Sequence, residues 1–296
     1  MTASARTAGW WRAMPAVFVL IWSTGFIVAR YGMPYAPPLK FLAIRYALSG
    51  LCFAIWALAS GVSWPARRSQ WMHLAVTGVL MHAGYLGGVW AAVHAGMGSG
   101  LVALLVGLQP VLTAIWLSTQ GSQVSRRQWA GLALGFVGLA LVVARKLVQG
   151  GEVSAWTMML ALAALVSITA GTLYQKRFVA PCDVRSAATV QQGAALLVTL
   201  PFVLLESQSI EWNAFSIGAM VWSVFALTLG AGSLFYLLIQ RGTATAVASL
   251  LYLVPPCTAV MAFFLFDEPI TVLTLIGIAI TAVGVGLVVR ERPAAV

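Results

Sequence analysis

The 296-residue sequence is too apolar to fold as a water-soluble protein, because 61% of its residues are hydrophobic and only 8% are charged. Soluble domains carry about 25% charged residues. The net charge is +10, yet no hydrophilic stretch is long enough for an ATP-hydrolysing module or an extramembrane catalytic domain. The composition therefore predicts an integral membrane protein.

Apolar runs of about 20 residues, the length that crosses the hydrocarbon core of a bilayer, follow one another along the chain. They predict an all-α integral membrane fold with ten transmembrane helices. The first five predicted helices are Met14–Tyr31, Pro38–Ser60, Gln70–Val93, Met97–Thr119 and Arg127–Ala144. The second five are Ala155–Gln175, Ser186–Leu205, Ala214–Ile239, Thr243–Phe266 and Ile270–Val289.

Basic residues predict the orientation, since Lys and Arg concentrate in cytoplasmic loops. With the N-terminus inside, twelve of the seventeen Lys and Arg residues are cytoplasmic. We therefore expect a multi-pass protein of the bacterial-type inner (plasma) membrane with both termini in the cytoplasm. The same bias accounts for the net charge, so no nucleic-acid partner is expected. The expected partners are membrane lipid and a small-molecule substrate.

The two halves of the sequence repeat each other at a constant offset of 146 residues. Aligned glycines and a proline are stronger evidence than shared aliphatic residues in so apolar a chain. Because each half has five predicted helices, the second half enters the membrane from the opposite side. Residues 8–146 and 154–292 are thus predicted to be inverted repeats, as in secondary transporters. The matched pairs include Gly96/Gly242, Leu104/Leu250, Leu105/Leu251, Pro110/Pro256, Gly131/Gly277 and Gly138/Gly284.

The last part of the chain, Leu250–Val289, combines a proline in helix 9, an acid–proline exit and a glycine-patterned last helix. It resembles the terminal signature of the EamA-type branch of the drug/metabolite transporter superfamily. Helix 1 (LIWSTGFIVA) and helix 2 (FLAIRYALSG) resemble that family's opening pair, and helix 3 (LMHAGYLGGVW) is most similar to YddG-like amino-acid exporters. The resemblance implies a secondary transporter that exports small amphipathic metabolites, including aromatic amino acids.

Polar residues deep in a span are candidates for substrate binding. His82 lies near the middle of helix 3, and Tyr85 follows on the same helical face. The alternative role for His82 is a hydrogen bond between helices. Trp22 and Phe26 lie one turn apart on helix 1, beside Ser23, and a further hydroxyl in helix 6 belongs to Thr169. These residues predict an aromatic wall with small donors, against the alternative that the rings face lipid.

Prolines mark the centres of helices 4 and 9. Gln109 precedes Pro110, and Tyr252 precedes Pro255 and Pro256 at the matched point of the second half. Because proline removes a backbone donor, both helices are expected to kink, to face each other and to expose Gln109 and Tyr252 to substrate. A static packing kink is the alternative.

Arg45 lies about 10 Å inside the outer end of helix 2, by helical rise. One possible role is structural or in a gate, where Arg45 would pair with Glu268. Another is to attract the carboxylate of a substrate. The alternative is that the side chain extends to the outer membrane surface. Gln191, the repeat mate of Arg45, and the adjacent Gln192 are expected to play the corresponding part near the inner side.

All seven acidic residues fall at predicted helix ends or in loops, so the sequence contains no buried carboxylate relay. This favours gradient-driven uniport or facilitated export, with proton exchange through His82 as the alternative. The sequence lacks the motifs of intramembrane enzymes, cofactor sites and metal sites, and no catalytic residue is expected. Export of drugs or other metabolites remains the alternative function. Small residues at Gly131 and Gly135 suggest a supporting helix or a dimer surface, in a monomer or weak homodimer.

Overall fold

The computed structural model describes residues 3–121, 125–149, 153–241, 250–266 and 271–289. Within these ranges every regular element is a helix. The helical segments form successive units that we label α1 to α10. Their bounds are α1 Ala3–Gly32, α2 Pro38–Ala59, α3 Arg68–His94, α4 Ser99–Thr119, α5 Arg126–Gln149, α6 Ala155–Phe178, α7 Val184–Val203, α8 Ala214–Arg241, α9 Leu251–Phe266 and α10 Val272–Val289.

In the described part of the chain, seven helices are long and apolar enough to cross a membrane: α1 from Met14 onwards, α2, α3, α4, α6, α7 and α8. Two shorter apolar helices are Leu251–Phe266 and Leu275–Gly284. The fold is therefore that of an all-α membrane protein, whereas the full number of spans stays a prediction. The predicted starts of helices 9 and 10 lie outside the described residues.

The predicted helix bounds agree with the structure to within a few residues at most ends. The predicted span from Met14 agrees with the apolar part of α1, Met14–Gly32, while the helix itself extends back to Ala3. The segment between Ala3 and Met14 is rich in alanine and contains no proline, so the helix continues beyond the apolar run. Apolar length marks the part of a helix that fits the bilayer, not where the helix starts.

Two of the long helices contain wide π-helical turns. In α3 such a turn covers Val79–Gly84, and in α8 it covers Ser223–Gly232. At the offset of 146, residues 79–84 correspond to residues 225–230, which lie inside the second turn. π-Turns are rare in proteins as a whole, but those that occur are often at functional sites, because they redirect the side chains around an inserted residue.

The two proline sites interrupt their helices and lie close together. Helix α4 is broken at Gly107 and Leu108, and Pro110 falls in the first turn of the segment that follows. The main segment of α9 starts at Val254, directly before Pro255 and Pro256. A Cβ atom at Gly107 would lie 3.0 Å from Cγ of Pro255. The breaks therefore meet where α4 packs on α9.

Contacts between the two halves come in matched pairs, in which the first half and the second half exchange roles. Helix α3 packs on α6, and its counterpart α8 packs on α1. In the same way, α3 packs on α7 and α8 packs on α2. Helix α2 packs directly against α7, and α5 packs directly against α10. The contact between α5 and α10 is close, because a Cβ at Gly284 would lie 2.5 Å from the carbonyl oxygen of Gly131 and 2.8 Å from the nitrogen of Gly135. This glycine surface is thus covered within the chain by α10.

The two ends of the bundle differ in charge. The end that we call the basic end carries Arg67, Arg68, Lys176, Arg177, Arg185 and Arg241 at the start of α3 and α7 and the end of α6 and α8. The other, acidic end carries Glu206 and Glu211 between α7 and α8. The carboxylate of Glu206 accepts the backbone N–H groups of Leu39 and Lys40, at 2.9 and 2.8 Å. An anion thus covers the N-terminus of α2, where the helix dipole favours it.

Candidate substrate cavity

A cavity lies at the centre of the bundle, between α1, α2, α3, α6, α7 and α8. The centre of a water-sized sphere can move through about 70 Å³ of it, within about 850 Å³ of space between the lining atoms that includes the open mouth. Both π-turns contribute to the walls, through Met81 and His82 in α3 and through Leu227, Thr228 and Gly232 in α8.

The structure brings together the two predicted residues of α3, since His82 and Tyr85 both line the cavity. The Tyr46 hydroxyl of α2 donates to the backbone carbonyl of His82 at 2.8 Å. That carbonyl lies in the π-turn, where the regular helical bonding pattern is altered. The hydrogen bond holds the turn, and with it the His82 ring, at the cavity wall.

An aromatic wall forms one side of the cavity. The rings of Trp22 and Tyr85 are nearly parallel, with centroids 6.1 Å apart, and Phe235 of α8 lies 4.9 Å from Trp22. Phe26 also lines the cavity. Trp22 and Phe26 therefore face the interior rather than lipid, and this wall is suited to the ring or alkyl part of an amphipathic molecule.

Two glutamines of α7 provide amide groups at the same cavity. The side-chain nitrogen of Gln192 lies 3.3 Å from Nε2 of His82. The side-chain nitrogen of Gln191 donates to Oε1 of Gln175 in α6 at 3.4 Å. Gln191 and Gln192, both predicted from the relation to Arg45, thus lie at the cavity, together with Gln175, which the sequence did not single out.

Arg45 lies at the cavity as well, with only 4% of its surface exposed. Its Nε–H donates to Oγ1 of Thr228 at 3.0 Å, and its guanidinium carbon lies 5.7 Å from the ring centroid of Trp90. A side chain held this way does not extend along the helix to the membrane surface. The predicted partner, Glu268, lies outside the described residues.

The polar contacts of the site are related by the sequence repeat. At the offset of 146, Arg45 corresponds to Gln191 and His82 corresponds to Thr228. Arg45 of α2 contacts the π-turn of α8 through Thr228, whereas Gln192, adjacent to Gln191, contacts the π-turn of α3 through His82. Each half thus sends a polar side chain to the π-turn of the other half.

Four residues predicted to bind substrate do not line this cavity. The hydroxyl of Ser23 donates to the carbonyl of Val19 at 2.6 Å and lies 3.4 Å from that of Val254, so it packs α1 on α9. The hydroxyl of Thr169 donates to the carbonyl of Leu165 in its own helix at 2.7 Å. Small hydroxyl residues in a span often bond to their own backbone in this way.

The other two are the residues beside the prolines. The amide nitrogen of Gln109 donates to Oγ1 of Thr172 at 3.1 Å. Tyr252 packs with Ala114 and Leu132, and a Cβ at Gly135 of α5 would lie 2.9 Å from its ring. Neither residue is among those that line this cavity. Contact between substrate and Ser23, Thr169, Gln109 or Tyr252 stays a prediction, separate from the site described here.

Several cavity residues were missed by the sequence analysis. Thr228 is the repeat mate of His82 at the offset of 146, so the repeat is the signal that locates it in an otherwise apolar helix. Ser233 and Tyr236 face the cavity because the π-turn of α8 changes the face that the following residues present. The sequence has no direct signal for such a turn.

The acidic residues that the structure describes lie outside the cavity. Asp183 stands directly before α7, and its carboxylate forms a salt bridge of 2.8 Å with Arg185 and accepts the backbone N–H of that residue. The side-chain hydrogen bond from Arg185 lowers the pKa of Asp183 below its ordinary value of 3.8. Among the described residues, no group of three His, Cys, Asp or Glu side chains is arranged to hold a metal ion.

An apolar helical bundle with a central cavity, lined by aromatic rings and a few polar groups, is typical of membrane carriers. The sequence profile of the EamA-like transporter family matches the chain twice, at residues 10–144 and 155–290. The chain belongs to the EamA-like transporter family of the drug/metabolite transporter superfamily, and it is a multi-pass membrane transporter.

The chain is similar to several bacterial proteins along most of its length. It is 29% identical to the uncharacterized transporter YvbV of Bacillus subtilis (92% of this chain, 89% of the relative). It is 25% identical to the uncharacterized inner membrane transporter YedA of Escherichia coli (83% and 80%) and 25% identical to a probable amino-acid metabolite efflux pump of Salmonella typhimurium (90% of each). A crystal structure with 18% identity has the same fold, with a TM-score of 0.75 over 93% of this chain and 94% of that chain.

Proposed function

We propose that the protein exports small amphipathic metabolites, in particular amino acids including aromatic ones, across the bacterial inner membrane. The observation that carries this proposal is the composition of the cavity: the rings of Trp22 and Tyr85, a buried guanidinium and amide groups all line it. A molecule that carries both a ring and charged groups matches this lining. The name of the Salmonella relative supports amino acids and outward transport.

The mechanism we propose is alternating access between two inverted halves, residues 8–146 and 154–292, with ten spans in all. The 146-residue repeat, the double match of the family profile and the reciprocal helix contacts support it. In such a carrier the site lies near the midplane between the repeats, and one half rocks against the other. The reciprocal contacts of Arg45 and Gln192 with the π-turns support a site at that position.

The sides of the membrane follow from the same proposal. The basic end, with Arg67 and Lys176, faces the cytoplasm, and both termini lie there. The acidic end, with Glu206, faces outward. We propose a monomer or weak homodimer, because the glycine surface of α5 is already covered by α10.

Transport is proposed to be uniport or facilitated export. The described carboxylates, Asp183, Glu206 and Glu211, all lie outside the cavity, which leaves His82 as the proton carrier of the rival, proton-coupled mechanism. Proton coupling through membrane carriers commonly uses buried acidic residues.

The test is transport by purified protein in liposomes, with a panel of radiolabelled amino acids and with non-amino-acid drugs as the comparison set. We expect concentration-driven flux of amino acids, highest for aromatic ones, with or without an imposed pH gradient. Flux that requires the gradient would overturn uniport. Flux of drugs but of no amino acid would overturn the substrate class and favour a drug exporter.

A further inference from the structure

The cavity contains buried polar atoms that lack hydrogen-bond partners. Nη1 of Arg45 and Oε1 of Gln192 are both shielded from solvent, and neither has a partner. The two residues are 4% and 1% exposed. Two further residues of the cavity lining also have unbonded buried atoms, Nε2 of Gln175 and Oγ of Ser233. More than about 90% of buried polar groups in proteins are bonded, so unbonded ones around one cavity indicate groups that a ligand satisfies.

The first of these atoms carries positive charge. Arg45 bonds to a neutral hydroxyl, that of Thr228, and lies near an aromatic ring, that of Trp90. Among the described residues no carboxylate forms an ion pair with it. Burying a charge without a counter-charge is costly, and a planar guanidinium matches the two oxygens of a carboxylate. The free Nη1 therefore calls for an anionic oxygen.

The second atom is a carbonyl oxygen that needs a donor. The amide nitrogen of Gln192 points at Nε2 of His82, which accepts its hydrogen when the imidazole proton is on Nδ1. This contact fixes the amide, so Oε1 is directed elsewhere and is left without a donor. An ammonium group is a strong donor to such an oxygen.

The two residues lie on neighbouring helices of the same cavity. Gln192 packs beside Gly50 of α2, where a Cβ would lie 3.4 Å from the Cβ of Gln192. Gly50 follows Arg45 by five positions on that helix. Because both residues line one cavity, a single small molecule is the simplest partner for both atoms.

We propose that the cavity recognises the α-amino acid zwitterion through both of its charges: Arg45 Nη1 donates to the carboxylate and Gln192 Oε1 accepts from the ammonium. The side chain of the ligand then lies against Trp22 and Tyr85. This inference rests on the proposed function and makes Arg45 a specificity-determining residue rather than a gate. The carboxylate is the required feature of every ligand.

The first experiment compares three ligands of the purified wild-type protein: tryptophan, tryptamine, which lacks the carboxylate, and indole-3-propionate, which lacks the ammonium. Equilibrium binding and ligand-induced thermal stabilisation are measured in detergent. We expect tryptamine to bind about 10- to 100-fold more weakly than tryptophan, since a hydrogen bond to a charged group is lost. Indole-3-propionate should lie between them. Equal binding of tryptophan and tryptamine overturns the inference.

The second experiment uses Arg45→Gln and Arg45→Lys, with Arg30→Gln as the matched control, since Arg30 lies at the acidic end and does not line this cavity. Arg45→Gln should remove the difference between tryptophan and tryptamine, Arg45→Lys should restore part of it, and Arg30→Gln should leave it unchanged. A preference for tryptophan that survives in Arg45→Gln overturns the inference. If that variant does not fold, the wild-type ligand series decides alone.

The outcome is separable from that of the proposed function. Transport of tryptophan without a carboxylate preference would keep the function and overturn the zwitterion site. Binding of indole-3-propionate that depends on Arg45, without transport of any amino acid, would keep the anion site and overturn the function. Failure of all three ligands to bind would overturn both.

Discussion

Gln192 of α7 contacts His82 of α3, with its amide nitrogen 3.3 Å from Nε2 of the ring. Helices α3 and α7 belong to different halves of the sequence repeat. The contact therefore crosses the boundary between the halves at the cavity itself. If the halves move against each other during transport, this pair has to separate or move with the substrate.

The aromatic wall is expected to select ligands with rings. Trp22→Ala removes the ring that stacks on Tyr85, and an aromatic pair contributes about 0.5–1.5 kcal/mol beyond its buried area. Flux of tryptophan should fall severalfold, while flux of alanine should change little. Trp116→Ala, at an exposed position of α4, is the control. A fall of the same size for both substrates would mean that Trp22 supports the fold rather than binding the ring.

The contact of α3 with α7 depends on a glycine. A Cβ at Gly78 would overlap the backbone of Gln191, whereas a Cβ at Gly87 of the same helix has nothing within 4 Å. Overpacking of this kind costs about 1–3 kcal/mol. Gly78→Ala should therefore lower the melting temperature, and Gly87→Ala should leave it unchanged or raise it, because alanine is the better helix former. Equal changes of melting temperature in the two variants would contradict the close contact between Gly78 and the backbone of Gln191.

The acidic end is held by a carboxylate on the N-terminus of α2. Glu206→Gln keeps the shape of the side chain but replaces the anion that accepts two backbone N–H groups. A loss of about 1 kcal/mol is expected, in line with the loss of other caps. Glu211→Gln is the matched control, since the backbone N–H of Glu211 donates to the carbonyl of Tyr35, between α1 and α2, and the substitution leaves that bond in place. The measurement is the denaturation midpoint of each variant in the same detergent. Identical midpoints for the two variants would contradict the stabilisation of α2 by the Glu206 carboxylate.

The N-terminus of α7 should respond to acid. Because the pKa of Asp183 is lowered by its hydrogen bond with Arg185, the ionised form stabilises the folded state above the ordinary value of 3.8, and this contribution is lost as the pH falls below it. Asp183→Asn keeps a capping side chain but cannot titrate. The difference in melting temperature between wild type and variant should shrink from pH 6 to pH 3. A constant difference would contradict the role of the charge.

The helices and the repeat were readable from the sequence because both depend on strong, simple signals. Apolar length locates spans, and the aligned pair Pro110 and Pro256 fixes the register of the halves. His82 and Tyr85 were placed correctly on one face, since helical spacing alone relates them. Arg45 was recognised from its depth in helix 2.

The sequence did not show which of the other candidate residues face the cavity. In a span that is apolar all round, the sequence does not distinguish the face towards the cavity from the face towards a neighbouring helix. Ser23 and Tyr252 therefore had the right depth, yet they face α9 and α5. The π-turns have no sequence signature either, and they decide where Thr228 and Ser233 point.

The most direct test of the central cavity as the substrate site is the flux of tryptophan into liposomes that contain wild type, His82→Ala or Tyr85→Phe, at equal amounts of folded protein. The cavity site predicts that His82→Ala lowers the flux at least severalfold, because it removes the contact with Gln192, and that Tyr85→Phe lowers it less, because the stacked ring is retained. Wild-type flux from both variants would contradict the site.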